Sequence, residues 1–255
     1  MTDEPRAWRV VLETIERDLL EGRLRPGDRL PGERALSADL GVGRSSVREA
    51  LRVLEVLGLI RTSTGSGPNA GAIIVALPGG GMSALMRLQV AATGFAVADI
   101  VGTRLVLETA VAADLAQAAP RPSLEASVTL LDVMESRTLS ADEFLALDAQ
   151  FHLSLAEASG NQVIAATMAG LRSSIEGYAR AGASNLPSWT TTSARLRHEH
   201  RDIVAAIESG DPAEARATVH AHISNYYAET NLPSSRTVGS PQIGSPTAPP
   251  GILQP

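Results

Sequence analysis

Residues 24–59 read LRPGDRLPGERALSADLGVGRSSVREALRVLEVLGL. Two short helical patterns, Glu33–Leu40 and 44–57, flank the tight turn Gly41-Val42-Gly43. Along the second pattern Arg44, Arg48 and Arg52 recur one turn apart, so they share a face. Val47, Ala50, Leu51, Leu54 and Leu57 make up the other face. One side packs and the other presents guanidinium groups. A helix that lies in a DNA groove while anchored to a small core needs both.

The flanks extend this unit. Ala7–Leu20 is amphipathic through Val10, Val11, Ile15 and Leu19, Gly22 can close it, and Pro26-Gly27 makes a turn. After Gly58, residues 59–62 and 72–75 read as short strands around the Gly-rich TSTGSGPNAG, a hairpin or wing. Pro78-Gly79-Gly80-Gly81 is the clearest linker. Beyond it the spacing predicts helices near 82–92, 97–118, 123–136, 140–158, 161–182, 190–208 and 211–228, with Asp211-Pro212 as a cap followed by proline at the first helical position. From Asn231 the chain is rich in Ser, Pro and Gly without periodicity, which reads as disorder. The expected organisation is a DNA-binding domain over 1–76, a linker over 77–83, a helical domain over 84–228 and a disordered tail over 229–255. The fold class is mainly α, an N-terminal winged helix-turn-helix plus a C-terminal all-helical bundle.

Composition narrows the function classes. Of 255 residues 44% are hydrophobic but only 3% aromatic, which favours packed helices over a β-sandwich. There is no cysteine, so disulfides and thiolate metal sites are excluded. The start MTDEPRAW is acidic and has no apolar signal-peptide core. No charge-free apolar run is long enough to span a bilayer, and a cytoplasmic protein with no membrane partner is expected. A net charge of -6 argues against nucleic acid until its distribution is read. Every basic residue is Arg; residues 1–76 hold 11 Arg against 11 acids, and 23–61 hold 8 against 5. DNA binding would rest on a focused stripe.

Within that stripe, Arg48 is placed for base edges, where guanidinium pairs with guanine. Arg44 and Ser45 are placed for a base or phosphate, Arg34 for clamping the backbone and Arg52 for a phosphate. The tip at Gly65 and Gly67 lacks bulk and suits a minor groove. The run Pro26-Gly27-Asp28-Arg29-Leu30-Pro31, with Glu33-Arg34, Leu36, Gly41-Val42, Arg44, Val47-Arg48-Glu49-Ala50-Leu51 and Leu54-Glu55, resembles the winged-helix domain of GntR-family transcription regulators. The resemblance implies DNA contacts by Arg34, Arg44 and Arg48. It departs from the family at Gly43, where Ser is common, and in the extended wing Pro68-Asn69-Ala70-Gly71.

Helical phase sorts the polar residues of the second domain. Phe144, Leu147, Phe151 and Leu155 form one apolar stripe, with Asp148 and His152 one turn apart beside it. His200 falls on the stripe of Leu196, Ile203 and Ile207, and His222 on that of Ala215, Val219, Ile223 and Tyr226. His198 and His220 fall outside their stripes. Asp148, His152, His200 and His222 are therefore expected inside, and buried polar groups need partners. One divalent cation can satisfy all four. The set suits Zn²⁺, and Ni²⁺ or Mn²⁺ with waters in the shell.

Arg104-Leu-Val-Leu-Glu108, Asp148-Ala-Gln-Phe151-His152, Glu157-Ala-Ser-Gly160-Asn161, His200-Arg201, Ala206-Ile207, Asp211, Ala215-Arg216 and His222 resemble the FCD ligand-binding domain of the FadR subfamily of GntR regulators. The resemblance implies a metal on Asp148, His152, His200 and His222, and a small carboxylate effector bound by Arg104, with Asn161 also at that site. The expected function is a homodimeric, metabolite-responsive regulator, a repressor, on a palindromic double-stranded operator. The alternative is a metal-dependent enzyme with a helical Asp/His3 site, although no HExxH, phosphate loop or nucleophile elbow accompanies it.

Overall fold

The computed structural model describes residues 7–63, 71–75, 80–136 and 138–230. Its elements are α1 (Ala7–Leu20), α2 (Glu33–Leu40), α3 (Arg44–Val56), β1 (Ile60–Ser63), β2 (Gly71–Ile74), α4 (Gly80–Thr93), α5 (Val97–Gln117), α6 (Glu125–Ser136), α7 (Ala141–Ala158), α8 (Gln162–Ala183), α9 (Trp189–Ser209) and α10 (Pro212–Glu229). The fold is mainly α, as the periodicity predicts, and each helix ends within two residues of its expected boundary.

The apolar faces close two separate clusters. In the first, Val11 and Ile15 of α1, Leu36 of α2 and Val47, Ala50, Leu51 and Leu54 of α3 meet Ile60, Ala72 and Ile74 of the wing. The turn between α2 and α3 works because Gly41 takes φ 65, the left-handed conformation that ends a helix sharply. β1 and β2 pair antiparallel, Ile60 opposite Ile74. Residues 28–30, which follow the Pro26-Gly27 turn and to which the sequence reading assigns no element of their own, add a third rung: Leu30 donates to the Ala72 carbonyl and Ile74 to the Asp28 carbonyl, both at 2.9 Å. Period-2 patterning is too short there to see; the partner strand supplies the signal.

In the second cluster, α5 packs on α10, α4 and α7 on α8, and α9 on α10, around Phe144, Phe151, Leu115, Leu196 and Ile203. Side-chain caps mark the starts of several helices. Ser140 and Glu143 form a reciprocal capping box on α7, and Asp211 caps α10 ahead of Pro212.

Two expected boundaries move. Helix α4 starts at Gly80, inside the stretch read as linker 77–83. Its Met86 and Val90 pack on the second core, and that packing outweighs the poor helix propensity of glycine. Glu229 ends α10, and Thr230, read as the start of a loose tail, is buried, with Asn185 Nδ2 donating to its carbonyl at 2.9 Å. Gly65 and Gly67, linker residues 76–79 and tail residues 231–255 lie outside the described residues.

Helices α4 and α8 touch where α8 has no side chain. A Cβ on Gly170 would stand 2.6 Å from the Met86 Cβ. Gly170→Ala therefore must push α4 off the bundle, at a cost of about 1–3 kcal/mol. The check is the urea midpoint followed by circular dichroism, which falls for this variant and stays put for Gly177→Ala, where the space is open.

Candidate metal centre and DNA-reading helix

The four residues nominated by helical phase converge. Asp148 and His152 come from α7, His200 from α9 and His222 from α10, and all are buried. One ligating atom from each lies within 4.8 Å of all the others. The rings sit in an apolar frame: Phe151 and His200 have centroids 4.8 Å apart, and His200 and His222 4.6 Å.

Hydrogen bonds decide which nitrogens face the centre. His152 Nδ1 lies 2.6 Å from Glu108 Oε2, and His222 Nδ1 lies 2.8 Å from Glu199 Oε2. An ionised carboxylate only accepts, so each Nδ1 carries the proton, a tautomer assigned from the network. Nε2 is then the nitrogen turned inward on each ring, and the Nε2 atoms of His152 and His222 face each other at 3.1 Å. Two ring nitrogens that close are satisfied by a shared proton or by a cation between them. Nitrogens on one tetrahedral zinc stand about 3.3–3.4 Å apart, so the spacing fits a shared metal. His200 adds to the case: Nε2 lies 3.0 Å from Asp148 Oδ1, but off the line of a hydrogen bond, and neither ring nitrogen has a hydrogen-bond partner. Buried nitrogens in that state are what a metal satisfies.

Electrostatics agree. Burial pushes the His222 imidazole down to about 4, against the pull of Glu199, so the ring stays neutral. Burial likewise lowers His200. Burial opposes ionisation of Asp148, but the imidazole of His200 beside it and those of His152 and His222 more than offset this, holding its carboxyl well below the usual range. Lowered imidazole pKa values at His200 and His222 beside an ionised Asp148 match the protonation states a divalent cation requires.

Arg104 is buried beside this centre. Its guanidinium pairs with Glu108 at 2.6 Å through Nε and donates to the Tyr178 hydroxyl at 2.6 Å through Nη1. Arg104, Asp148, His222 and Tyr226 line a cavity of about 10 Å³ between them, room for about one water. Asn161 is not part of it. That residue is exposed at the N-cap of α8, where its Oδ1 accepts from the Ile164 N–H at 3.2 Å.

On α3, Arg44, Ser45, Arg48 and Arg52 are exposed, as is Arg34 on α2, opposite a face whose Val47, Ala50, Leu51 and Leu54 are buried. Arg48 Nη2 donates to Glu33 Oε2 at 2.9 Å.

Residues 9–68 match the gntR family of bacterial regulatory proteins, and residues 99–225 match the FCD domain. The HTH-type transcriptional regulator LutR of Bacillus subtilis is 31% identical over 205 residues, covering 80% of this chain and 92% of LutR. This chain belongs to the GntR family of transcription regulators. It combines the GntR helix-turn-helix with an FCD domain, as in the subfamily resembling FadR. The HTH-type transcriptional repressor NanR of Cronobacter sakazakii is 30% identical over 230 residues, covering 86% of this chain and 83% of NanR. The Glc operon transcriptional activator of Escherichia coli is 28% identical over 233 residues. A solved structure titled Streptococcus agalactiae GntR superposes with a TM-score of 0.59 at 26% identity, covering 88% of this chain and all of that one.

Sequence reading places Glu108 in the run that resembles the FCD domain, and Glu108 and Glu199 among residues available to an enzyme, but gives neither a part in holding the histidines. Glu108 carried one usable signal, its i,i+4 spacing from Arg104. Glu199 carried none, since its partner His222 is brought by the packing of α10 on α9.

The lowered imidazole pKa of His222 makes stability pH-dependent. An unfolded chain protonates His222 near 6.5, the folded one only near 4. The contribution is full above about pH 6.5 and is lost as pH falls toward 4, a loss of about 3 kcal/mol. The melting temperature of metal-free protein is expected to drop steadily from pH 7 to 4.5, and less steeply for His222→Gln. An unchanged melting temperature across that range contradicts the assignment.

Proposed function

We propose that this GntR regulator is a homodimeric repressor that releases its operator when a small carboxylate binds at a metal held by Asp148, His152, His200 and His222. One observation carries the reading: a buried three-nitrogen, one-oxygen cluster stands behind Arg104, in the same chain as the exposed arginine face of α3. Zn²⁺ suits that donor set, and Ni²⁺ or Mn²⁺ is accommodated if water completes the shell. A metal held by these four residues would supply positive charge for a carboxylate, and Arg104 supplies a guanidinium fork for the same group.

The cavity between them is nearly closed, so an effector enters only if helices move. A carboxylate on Arg104 competes with Glu108 and disturbs the bond to Tyr178 on α8. Helix α8 bears on α4 at Gly170, and α4 begins against the end of α3, where a side chain on Gly81 would run into the Leu57 carbonyl. The sensor and the reading helix are thus joined by packed backbone. On the DNA, Arg48 and Arg44 read base edges, Arg34, Ser45 and Arg52 hold phosphates, and two protomers span a two-fold site. Repression is what the name of NanR states for that relative.

The test begins by selecting a binding site from random-sequence DNA with zinc-loaded protein, then measuring affinity by fluorescence anisotropy. Arg44→Ala and Arg48→Ala are each expected to cost about 1–3 kcal/mol on the selected site. Two protomers bind per site. Acetate, glycolate, lactate and citrate are then screened by thermal shift, since a bound ligand stabilises by mass action. An acid that raises the melting temperature is expected to weaken DNA binding. If every stabilising acid leaves the anisotropy curve in place, the sensing half of the reading fails. Turnover of the acid by the zinc form would instead support a metalloenzyme.

A further inference from the structure

We infer that Glu108 and Glu199 are positioning residues that pre-set the metal ligands by holding the Nδ1 protons of His152 and His222. The inference rests on the metal-site reading and assigns how the ligand shell is built. Each carboxylate meets its ring at hydrogen-bond distance, 2.6 Å and 2.8 Å. Each thereby turns Nε2 inward as the acceptor. A histidine ligand whose outer nitrogen is free can rotate or carry its single proton on the metal-facing atom; a neutral ring tied to a carboxylate is held in orientation and keeps its proton on Nδ1.

The two carboxylates are themselves held, in different ways. Glu108 is buried and shared: Oε1 takes the Arg104 Nε–H at 2.6 Å, while Oε2 faces His152. Glu199 is half-buried and reaches outward: Arg195 bridges it to Glu229 at the end of α10. His222 is therefore braced from the surface and His152 from the neighbourhood of Arg104. His200 has no such brace, since neither of its nitrogens has a hydrogen-bond partner; its ring is held by packing against Phe151 and His222.

The experiment uses full-length Glu199→Gln and Glu108→Gln, with Glu229→Gln as the surface comparison. Zinc affinity is read by competition with a chromophoric chelator. Histidine tautomers are read on the metal-free protein from long-range ¹H–¹⁵N correlation spectra. Glu199→Gln is expected to weaken zinc about 10–100-fold and to shift the His222 spectrum away from the Nδ1–H tautomer. Glu108→Gln does the same for His152. Glu229→Gln changes zinc affinity by less than about threefold, because the Glu199–His222 bond is intact without it. Glu108→Gln leaves the Arg104 charge buried without its counter-ion, and this variant can lose its fold. Glu199→Gln lies closer to the surface and decides the case without it, provided its circular dichroism matches wild type.

Wild-type zinc affinity in Glu199→Gln together with an unchanged His222 tautomer overturns the inference. A tautomer shift is read without metal, so it tests the positioning role separately. Wild-type protein that binds no zinc while its rings show the assigned tautomers removes the metal reading and leaves the two carboxylates as tautomer locks.

Discussion

Three imidazoles and a carboxylate occupy the dry interior of the helical bundle, and every polar atom among them has to be satisfied there. That requirement explains much around them. Unpaired polar groups in such a place cost several kcal/mol each, so carboxylates are brought in from α5 and α9 to take the outer nitrogens. Glu108 in turn needs a counter-charge, and Arg104 provides it from one turn away on the same helix. Tyr178 then accepts from the remaining fork of Arg104. Each layer answers the demand of the one inside it, and the Nε2 atoms of His152 and His222 are left facing each other at the centre.

The DNA-reading unit follows a different rule. Its first 76 residues are electrically neutral overall, so long-range attraction to phosphate is weak and its positive charge is concentrated in a few exposed guanidinium groups. In the free protein Arg48 is paired with Glu33. Exposed pairs of this kind contribute little, so the arginine is oriented without being locked away from a base. Small aliphatic residues of α1 to α3 fix the angle at which α3 is offered.

Helix α4 joins the two units. Its start lies against the end of α3 and its middle against α8 at Gly170. Close backbone contact transmits displacement better than contact through flexible side chains, because packed backbone has fewer ways to absorb a shift. A GntR regulator needs such a joint if events at a buried centre are to reach an exposed helix.

The chain by itself determined the element order, the arginine face and the four inward polar residues. These are local properties: 3.6-residue spacing, glycine and proline breaks and capping residues act over a few positions. Asp148, His152, His200 and His222 were legible because each falls on or beside its own helix's apolar stripe. Tertiary structure decided the rest. It showed that the four meet at one point, that Glu199 serves His222 and that Asn161 caps α8 at the surface. It also showed that residues 27–30 join the wing and that α4 begins at Gly80. Each of these depends on how one element lies against another, and helix-to-helix geometry is set by the shapes of both partners at once, which no periodicity within a single segment records.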